Sequence, residues 1–162
     1  MSTSTDRDRK RKIARKMKTY KRDKRSPTPS SPLASKIMSR IKCKNTKPEM
    51  IVRKLLWAAG DRAYRLQYPV AGRPDIAFPR TKVAIFIHGC FWHRCPICQL
   101  QTPKSNPSFW QNKFEQNVKR DKSKISLLEK NGWKIVVLWE CEIKNNPHDA
   151  LNHVQKFLKP RV

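Results

Sequence analysis

Apolar and polar residues begin to recur in a structural pattern at Ser35 and not before it. Ser35 can cap a short helix that carries Ile37, Met38 and Ile41 on one side. Thr46-Lys47-Pro48-Glu49 fits a capping box: Thr at the N-cap, Pro inside the first turn and Glu at the third position. Ile51, Leu55, Leu56 and Ala59 follow at helical spacing, and Gly60 supplies a stop. Strand candidates come next at residues 63–68, 74–78 and 82–87, the first two separated by the Gly72-Arg73-Pro74 turn. The run Val83-Ala84-Ile85-Phe86-Ile87 is unbroken apolar, as in a strand covered on both faces. A polar, cysteine-rich loop then runs from His88 to about residue 106, and a long helix spans about 107–130, ended by Asn131-Gly132. Ile135-Val136-Val137-Leu138-Trp139 is another buried strand, and a last helix covers about 147–158. Strands joined through a crossover helix predict an α/β fold, with a mixed central sheet flanked by helices.

Composition divides the chain at the same place. The 162 residues hold 37 Lys plus Arg against 12 Asp plus Glu, a formal charge of +25. Such a charge favours a polyanionic partner, because each phosphate contact releases condensed counterions. An anionic membrane surface is the rival partner. No run of 18 apolar residues is present and no apolar segment follows the basic N-terminus, so neither a membrane span nor a secretory signal is expected. Residues 1–34 carry little that is apolar and end in Ser26-Pro27-Thr28-Pro29-Ser30-Ser31-Pro32. They are expected to be a disordered basic arm and linker that tracks DNA, with residues 35–162 as the folded domain. A solvated tail is the plainer reading of the arm. A targeting peptide fits less well, because Asp6, Asp8 and Asp23 interrupt it.

The five cysteines are Cys43, Cys90, Cys95, Cys98 and Cys141, an odd count that argues against a complete disulfide framework. Cys95-Pro96-Ile97-Cys98 is a C-x-x-C knuckle, while Cys90 and Cys141 each follow a predicted strand. If those strands are neighbours, all four sulfurs meet, and four thiolates suit structural zinc. A redox pair at Cys95 and Cys98 is the alternative, and His93 could replace one Cys as a ligand. Cys43 is read as a spectator. Zinc–thiolate chemistry points to a reducing compartment.

The folded part has only nine carboxylates. Asp75 opens a strand beside a turn, where it could hold a divalent cation against a phosphate or simply pair with Arg73. His88 and His93 flank the loop Gly89-Cys90-Phe91-Trp92, and their ordinary pKa suits acid–base work. Glu49 is already explained by the capping box. Asp121, among Lys119, Arg120 and Lys122, reads as a solvated helix charge. Phe91 and Trp92 are unusual in a polar loop that offers little core; exposed, they could stack on or wedge between bases, joined by Trp110. Phe109 or Phe114 is expected to face the sheet.

Taken together, Gly72-Arg73-Pro74-Asp75, Ile85-Phe86-Ile87-His88-Gly89-Cys90-Phe91-Trp92-His93, Cys95-Pro96-Ile97-Cys98, Phe109-Trp110, residues 117–121 and Trp139-Glu140-Cys141 closely resemble the very-short-patch (Vsr-type) mismatch repair endonucleases. The resemblance runs from about Ser35 to Cys141. It implies a PD-(D/E)XK, restriction-endonuclease-like core with a structural zinc site. It also implies a magnesium-dependent, strand-specific nick beside the thymine of a T:G mismatch left by deamination of 5-methylcytosine. By the same resemblance Asp75 and the main-chain carbonyl of Ile87 hold Mg2+. His93 acts at the scissile phosphate, supported by His88 and Glu49, and Asp121 lies near the site. Phe91, Trp92 and Trp110 intercalate, and Cys90, Cys95, Cys98 and Cys141 bind Zn2+. Duplex DNA is the implied partner, with other mismatch repair proteins beside it and no membrane. A monomer in a bacterial cytoplasm, associated with the nucleoid, is expected.

The chain departs from that pattern in places. Cys95 stands where some members have His, which makes an all-cysteine site. The arm lies outside the resemblance. The second carboxylate and Lys of the wider superfamily do not follow residues 83–87, which fits a family in which histidines take over part of the work. Two other readings stay open: a restriction- or homing-type nuclease of the same fold, and a zinc-stabilised DNA-binding module without catalysis.

Overall fold

The structure, a computed structural model, describes residues 31–42 and 44–158. The basic arm up to residue 30 and Cys43 therefore lie outside the described residues. Helix α1, Pro32–Ser39, starts earlier than the expected cap at Ser35. Pro32 pre-sets the first helical φ, and the Ser35 N–H donates to the Ser31 carbonyl at 3.1 Å, which places Ser35 within the helix. Leu33, Ile37, Met38 and Ile41 are exposed. Helix α2, Lys47–Ala58, begins with the predicted capping box: Thr46 accepts from the Glu49 N–H, and Glu49 accepts from the Thr46 N–H. The chain then leaves α2 through Gly60 at φ +83°.

Four strands follow: β1 Arg65–Leu66, β2 Ile76–Phe78, β3 Val83–His88 and β4 Lys134–Trp139. They form one sheet in the order β1-β2-β3-β4. The first two are shorter than the sequence predicts. Gln67 turns left-handed at φ +49° and ends β1, while Arg73 at φ +45° and the N–H-less Pro74 delay β2. β1 and β3 each run antiparallel to β2, but β3 and β4 are parallel, in register from Val83↔Lys134 to His88↔Trp139. The crossover between them is helix α3, Pro107–Lys130, closed by Asn131 and Gly132. After β4 comes a helix that hydrophobic periodicity does not reveal, α4, Glu140–Asn145. Glu142 caps it by accepting from the Trp139 N–H at 2.9 Å. Pro147 then starts helix α5, Pro147–Leu158.

Each face of the sheet has its own core. Ile76, Val83, Ile85, Val136 and Leu138 pack against Val52 and Leu56 of α2, Ile143 of α4, and Ala150 and Val154 of α5. Ala84 and Phe86 face the other way, onto Leu128 of α3 and its neighbour Ile125. The unbroken apolar run of β3 is thus covered on both sides, as a strand of that composition requires. No helix among the described residues is long and apolar enough to cross a membrane.

Ile85 is fully buried in the larger core. Ile85→Ala should cost about 2–5 kcal/mol in urea unfolding, whereas Leu127→Ala, at an exposed position of α3, should change stability by about 0.5 kcal/mol or less. Equal losses at both positions would contradict this division of core and surface.

Candidate active site

Because β3 and β4 are parallel, they end side by side at His88 and Trp139. The residues that follow therefore emerge together: Gly89 and Cys90 from β3, Glu140 and Cys141 from β4. The Cys141 N–H donates to the Cys90 sulfur at 3.3 Å, and the Cys90 N–H to Glu140 Oε2 at 3.4 Å. The loop brings in the knuckle, with the Cys95 and Cys141 sulfurs 3.7 Å apart. All four sulfurs lie within 4.8 Å of one another. Four sulfurs at ~2.3 Å from one tetrahedral ion would stand about 3.8 Å apart, so the Cys95–Cys141 separation is the one an ion imposes and the four together could hold one. All four are free thiols, which fits ligation rather than a redox bridge. Burial pushes the Cys90 thiol up. For Cys95, burial also acts upward, but the N–H groups of Cys98 and Ile97 and the sulfurs of Cys141 and Cys90 outweigh it, so its thiol sits below the ordinary value.

Period-2 alternation places His88 on the Ala84 and Phe86 face of β3, toward α3. The turn closed by His93 N–H to Gly89 carbonyl, 3.1 Å, folds His93 back over it. The two imidazoles stack at 4.1 Å with planes 7° apart. Asp121 of α3 accepts from His93 Nδ1 at 2.5 Å. Its side chain is only 12% exposed, so it is not the solvated helix charge that its basic neighbours suggest. His93 is thereby engaged with Asp121 rather than with the cysteines. His88, His93 and Asp121 offer ligand atoms within 4.8 Å of one another. Stacked parallel rings, however, cannot aim two in-plane lone pairs at one ion, so this trio is better suited to handling protons. Burial first, and the charge of His93 second, lower His88 to about 4; Asp121 opposes this, and Lys124 adds to it.

Asp75 sits just before β2, half-buried. Its Oδ2 accepts from the Ile87 N–H at 2.8 Å, while Oδ1 has only a long 3.5 Å contact from Gln67. Arg73 is exposed, and among the described residues no ion pair joins it to Asp75. Burial raises Asp75 above the ordinary carboxylate value, and Glu49 adds to this; the Ile87 N–H, His93 and Arg53 pull the other way. Glu49 is buried and fully engaged. It accepts from Asn45 N–H at 3.0 Å and Thr46 Oγ1 at 2.8 Å, and it pairs with Arg53 at 2.9 Å.

Beside this site Phe91, Trp92 and Trp110 are half-buried in mutual contact, with ring centroids 5.1 to 5.9 Å apart. Phe114 is buried, but it packs on Phe91 and Trp110 and under the Arg94 guanidinium, away from the sheet. Phe109 touches Trp110. The expectation that either residue faces the sheet is therefore corrected: the start of α3 packs on the loop, and the two form a small aromatic core of their own.

Residues 28–99 match the family model described as DNA mismatch endonuclease Vsr. The type II nicking enzyme V.NmeAIP of Neisseria meningitidis is 40% identical over 128 residues, covering 78% of this chain and 91% of that protein. V.XorIIP of Xanthomonas oryzae is 41% identical over 111 residues, 67% and 80% of the two chains. The DNA mismatch endonuclease Vsr of Escherichia coli is 36% identical over 111 residues, 68% and 70%.

This chain belongs to the Vsr family. It is therefore a DNA endonuclease, and the family match spans Glu49, Asp75, His88, His93 and three of the clustered cysteines.

The structure of this Vsr-family protein adds contacts for residues to which sequence reasoning gave no role. Asn117 is buried on α3 and donates to the Trp92 carbonyl at 3.0 Å, which ties the loop to the helix. It stands one turn from Asp121, a spacing that could have marked both as one inward face. Arg53 stands one turn from Glu49 and holds its carboxylate. Gln67 carries no sequence signal, and Glu140 only its place in the Trp139-Glu140-Cys141 run; tertiary contacts reveal what each holds.

The depressed His88 makes acid destabilising. The unfolded chain takes up this proton near pH 6.5 and the folded chain only near 4, so stability is full above about 6.5 and falls as pH drops toward 4. Urea unfolding between pH 7 and 5 should show this slope, and His88→Gln should flatten it. An unchanged slope in the variant would remove His88 as its cause.

Proposed function

We propose that this protein nicks one strand of duplex DNA beside the thymine of a T:G mismatch, the product of 5-methylcytosine deamination, and so opens very short patch repair. One arrangement carries this reading: Asp75, anchored on the Ile87 N–H, lies beside a His93–Asp121 pair and next to an aromatic cluster at the strand ends. The core is read as the PD-(D/E)XK type, with residues 35–162 as the catalytic domain and the basic arm adding sequence-independent affinity.

The residues fit magnesium. Asp75 Oδ1 has lone pairs to spare, and the Ile87 carbonyl leaves its strand on the same edge as the N–H that Asp75 accepts. One carboxylate, one carbonyl and DNA phosphate oxygens suit a hard cation. Bound there, the ion supplies Lewis acidity at the phosphate. The chain's own residues do the rest. Asp121 holds His93 by Nδ1, which leaves Nε2 to exchange a proton at the scissile phosphate. His88 stays neutral near pH 7 and stacks beneath His93, fixing the ring plane. Glu49, with every oxygen engaged, supports from behind. Zinc at the four cysteines would pin the loop that carries His93. Phe91, Trp92 and Trp110 form the wedge, most useful where a mismatch already weakens stacking. The protein is read as a monomer of the bacterial cytoplasm that works with other mismatch repair proteins.

Labelled T:G, T:A and C:G duplexes, each with magnesium and with EDTA, test this. Only T:G with magnesium should be nicked. Asp75→Ala should abolish the nick, and His93→Ala should slow it about 10²–10⁴-fold. Equal cutting of all duplexes would favour a restriction- or homing-type enzyme, and Asp75→Ala at full rate would refute the assignment of Asp75. Metal analysis should find one zinc per chain, unaffected by Cys43→Ser and lost, together with thermal stability, in Cys141→Ser.

A further inference from the structure

Gly72 and Lys124 meet at the entrance to this site. A Cβ placed on Gly72 would lie 3.0 Å from Lys124 Cβ, 3.2 Å from Cγ and 3.4 Å from Cδ. The lysine stem therefore lies against the turn that leads into Asp75, and the turn needs its glycine both for this approach and for its φ of +81°. Lys124 is one helical turn beyond Asp121, so it shares the face of α3 that holds His93. It is half-buried, and among the described residues it makes no ion pair and no hydrogen bond. The other cations nearby are committed: the half-buried Arg53 to Glu49 and Asn45, the half-buried Arg94 to the Leu100 carbonyl, and the exposed Arg120 to Asn117. Arg73 is exposed with nothing to fix its position.

We propose that Lys124 is a further catalytic residue, whose ammonium meets a non-bridging oxygen of the scissile phosphate. This rests on the nicking reading above. Around the reacting phosphate that reading places two carboxylates, Asp75 and Asp121, and negative charge builds on the phosphate oxygens as water attacks. A cation already held in place stabilises that charge without reorganising at the moment of reaction. The packed stem supplies this preorganisation, and a Lys on an open helix face would not. The role assigned to the ammonium is charge and not proton transfer, so its contribution is electrostatic and appears in the rate rather than in duplex affinity.

The test is single-turnover nicking of the T:G duplex with protein in excess, beside a duplex Kd measured in EDTA. Wild type, Lys124→Met, Lys124→Arg and a control at the exposed Lys122, Lys122→Met, are compared. Methionine keeps the apolar stem against Gly72, and thermal melting with zinc content verifies each fold. Lys124→Met should nick about 10²-fold more slowly with Kd within about threefold of wild type, and Lys124→Arg should recover most of the rate. Lys122→Met should change affinity alone, if anything. A wild-type rate in Lys124→Met, a loss confined to Kd, or Lys124→Arg as slow as the methionine variant would overturn the proposal. If wild type nicks no duplex, the nicking reading falls first and takes this one with it.

Discussion

The parallel pairing of β3 with β4 is the constraint on which the rest of the site depends. Parallel strands end at the same edge of a sheet, and here the register brings His88 opposite Trp139. Both histidines and the four-cysteine cluster are hung from that edge. Cys90 and Cys141 meet because they follow those two ends. His88 presents its ring to α3 because alternation on a doubly covered strand leaves it no other direction. A slip of one residue in β3 would turn His88 to the opposite face, onto the core that holds Leu138 and Ile143, leaving the site without its stacked pair.

A loop that spans residues 89–106 without a helix or strand is long for a compact domain. Three devices hold it. The four-sulfur cluster ties it to the ends of both strands. The aromatic cluster of Phe91, Trp92, Trp110 and Phe114 gives it a small core shared with α3. Asn117 and Asp121, one turn apart on α3, bond the Trp92 carbonyl and the His93 ring. Phe91, Trp92 and His93 are therefore fixed by the same few contacts. A disturbance at the cysteines would be felt at His93, because a single residue, Arg94, separates it from Cys95.

Charge acts at two scales. The net +25 belongs to holding a polyanion, and it includes an arm outside the described residues. Inside the site the balance differs. Few carboxylates are available, and each has an assigned neighbour: Asp75 the Ile87 N–H, Asp121 His93, and Glu49 Arg53 and the start of α2. In a chain so rich in Lys and Arg, two cations near the site are held in place, Arg53 by its ion pair with Glu49 and Lys124 by its stem against Gly72.

By itself the sequence determined the order of the four strands and of the helices other than α4, the capping box at Thr46, the buried character of β3 and the four cysteines as one set. It also showed the family, because residue types in a short ordered run need no coordinates to be matched. These properties are local, or they survive as patterns along the chain. The tertiary structure decided what depends on partners distant in sequence. Asp121 reads as solvated from its neighbours Arg120 and Lys122, and only the loop folding back over α3 shields it and gives it His93. Phe114 reads as facing the sheet, and only the loop's aromatic residues draw it elsewhere. The early start of α1 and the separate α4 depend on single hydrogen bonds, at Ser31 and Glu142, that periodicity cannot register. Burial and pairing of a side chain are set by the elements packed against it, and in this chain those elements are brought together by the β3–β4 crossover.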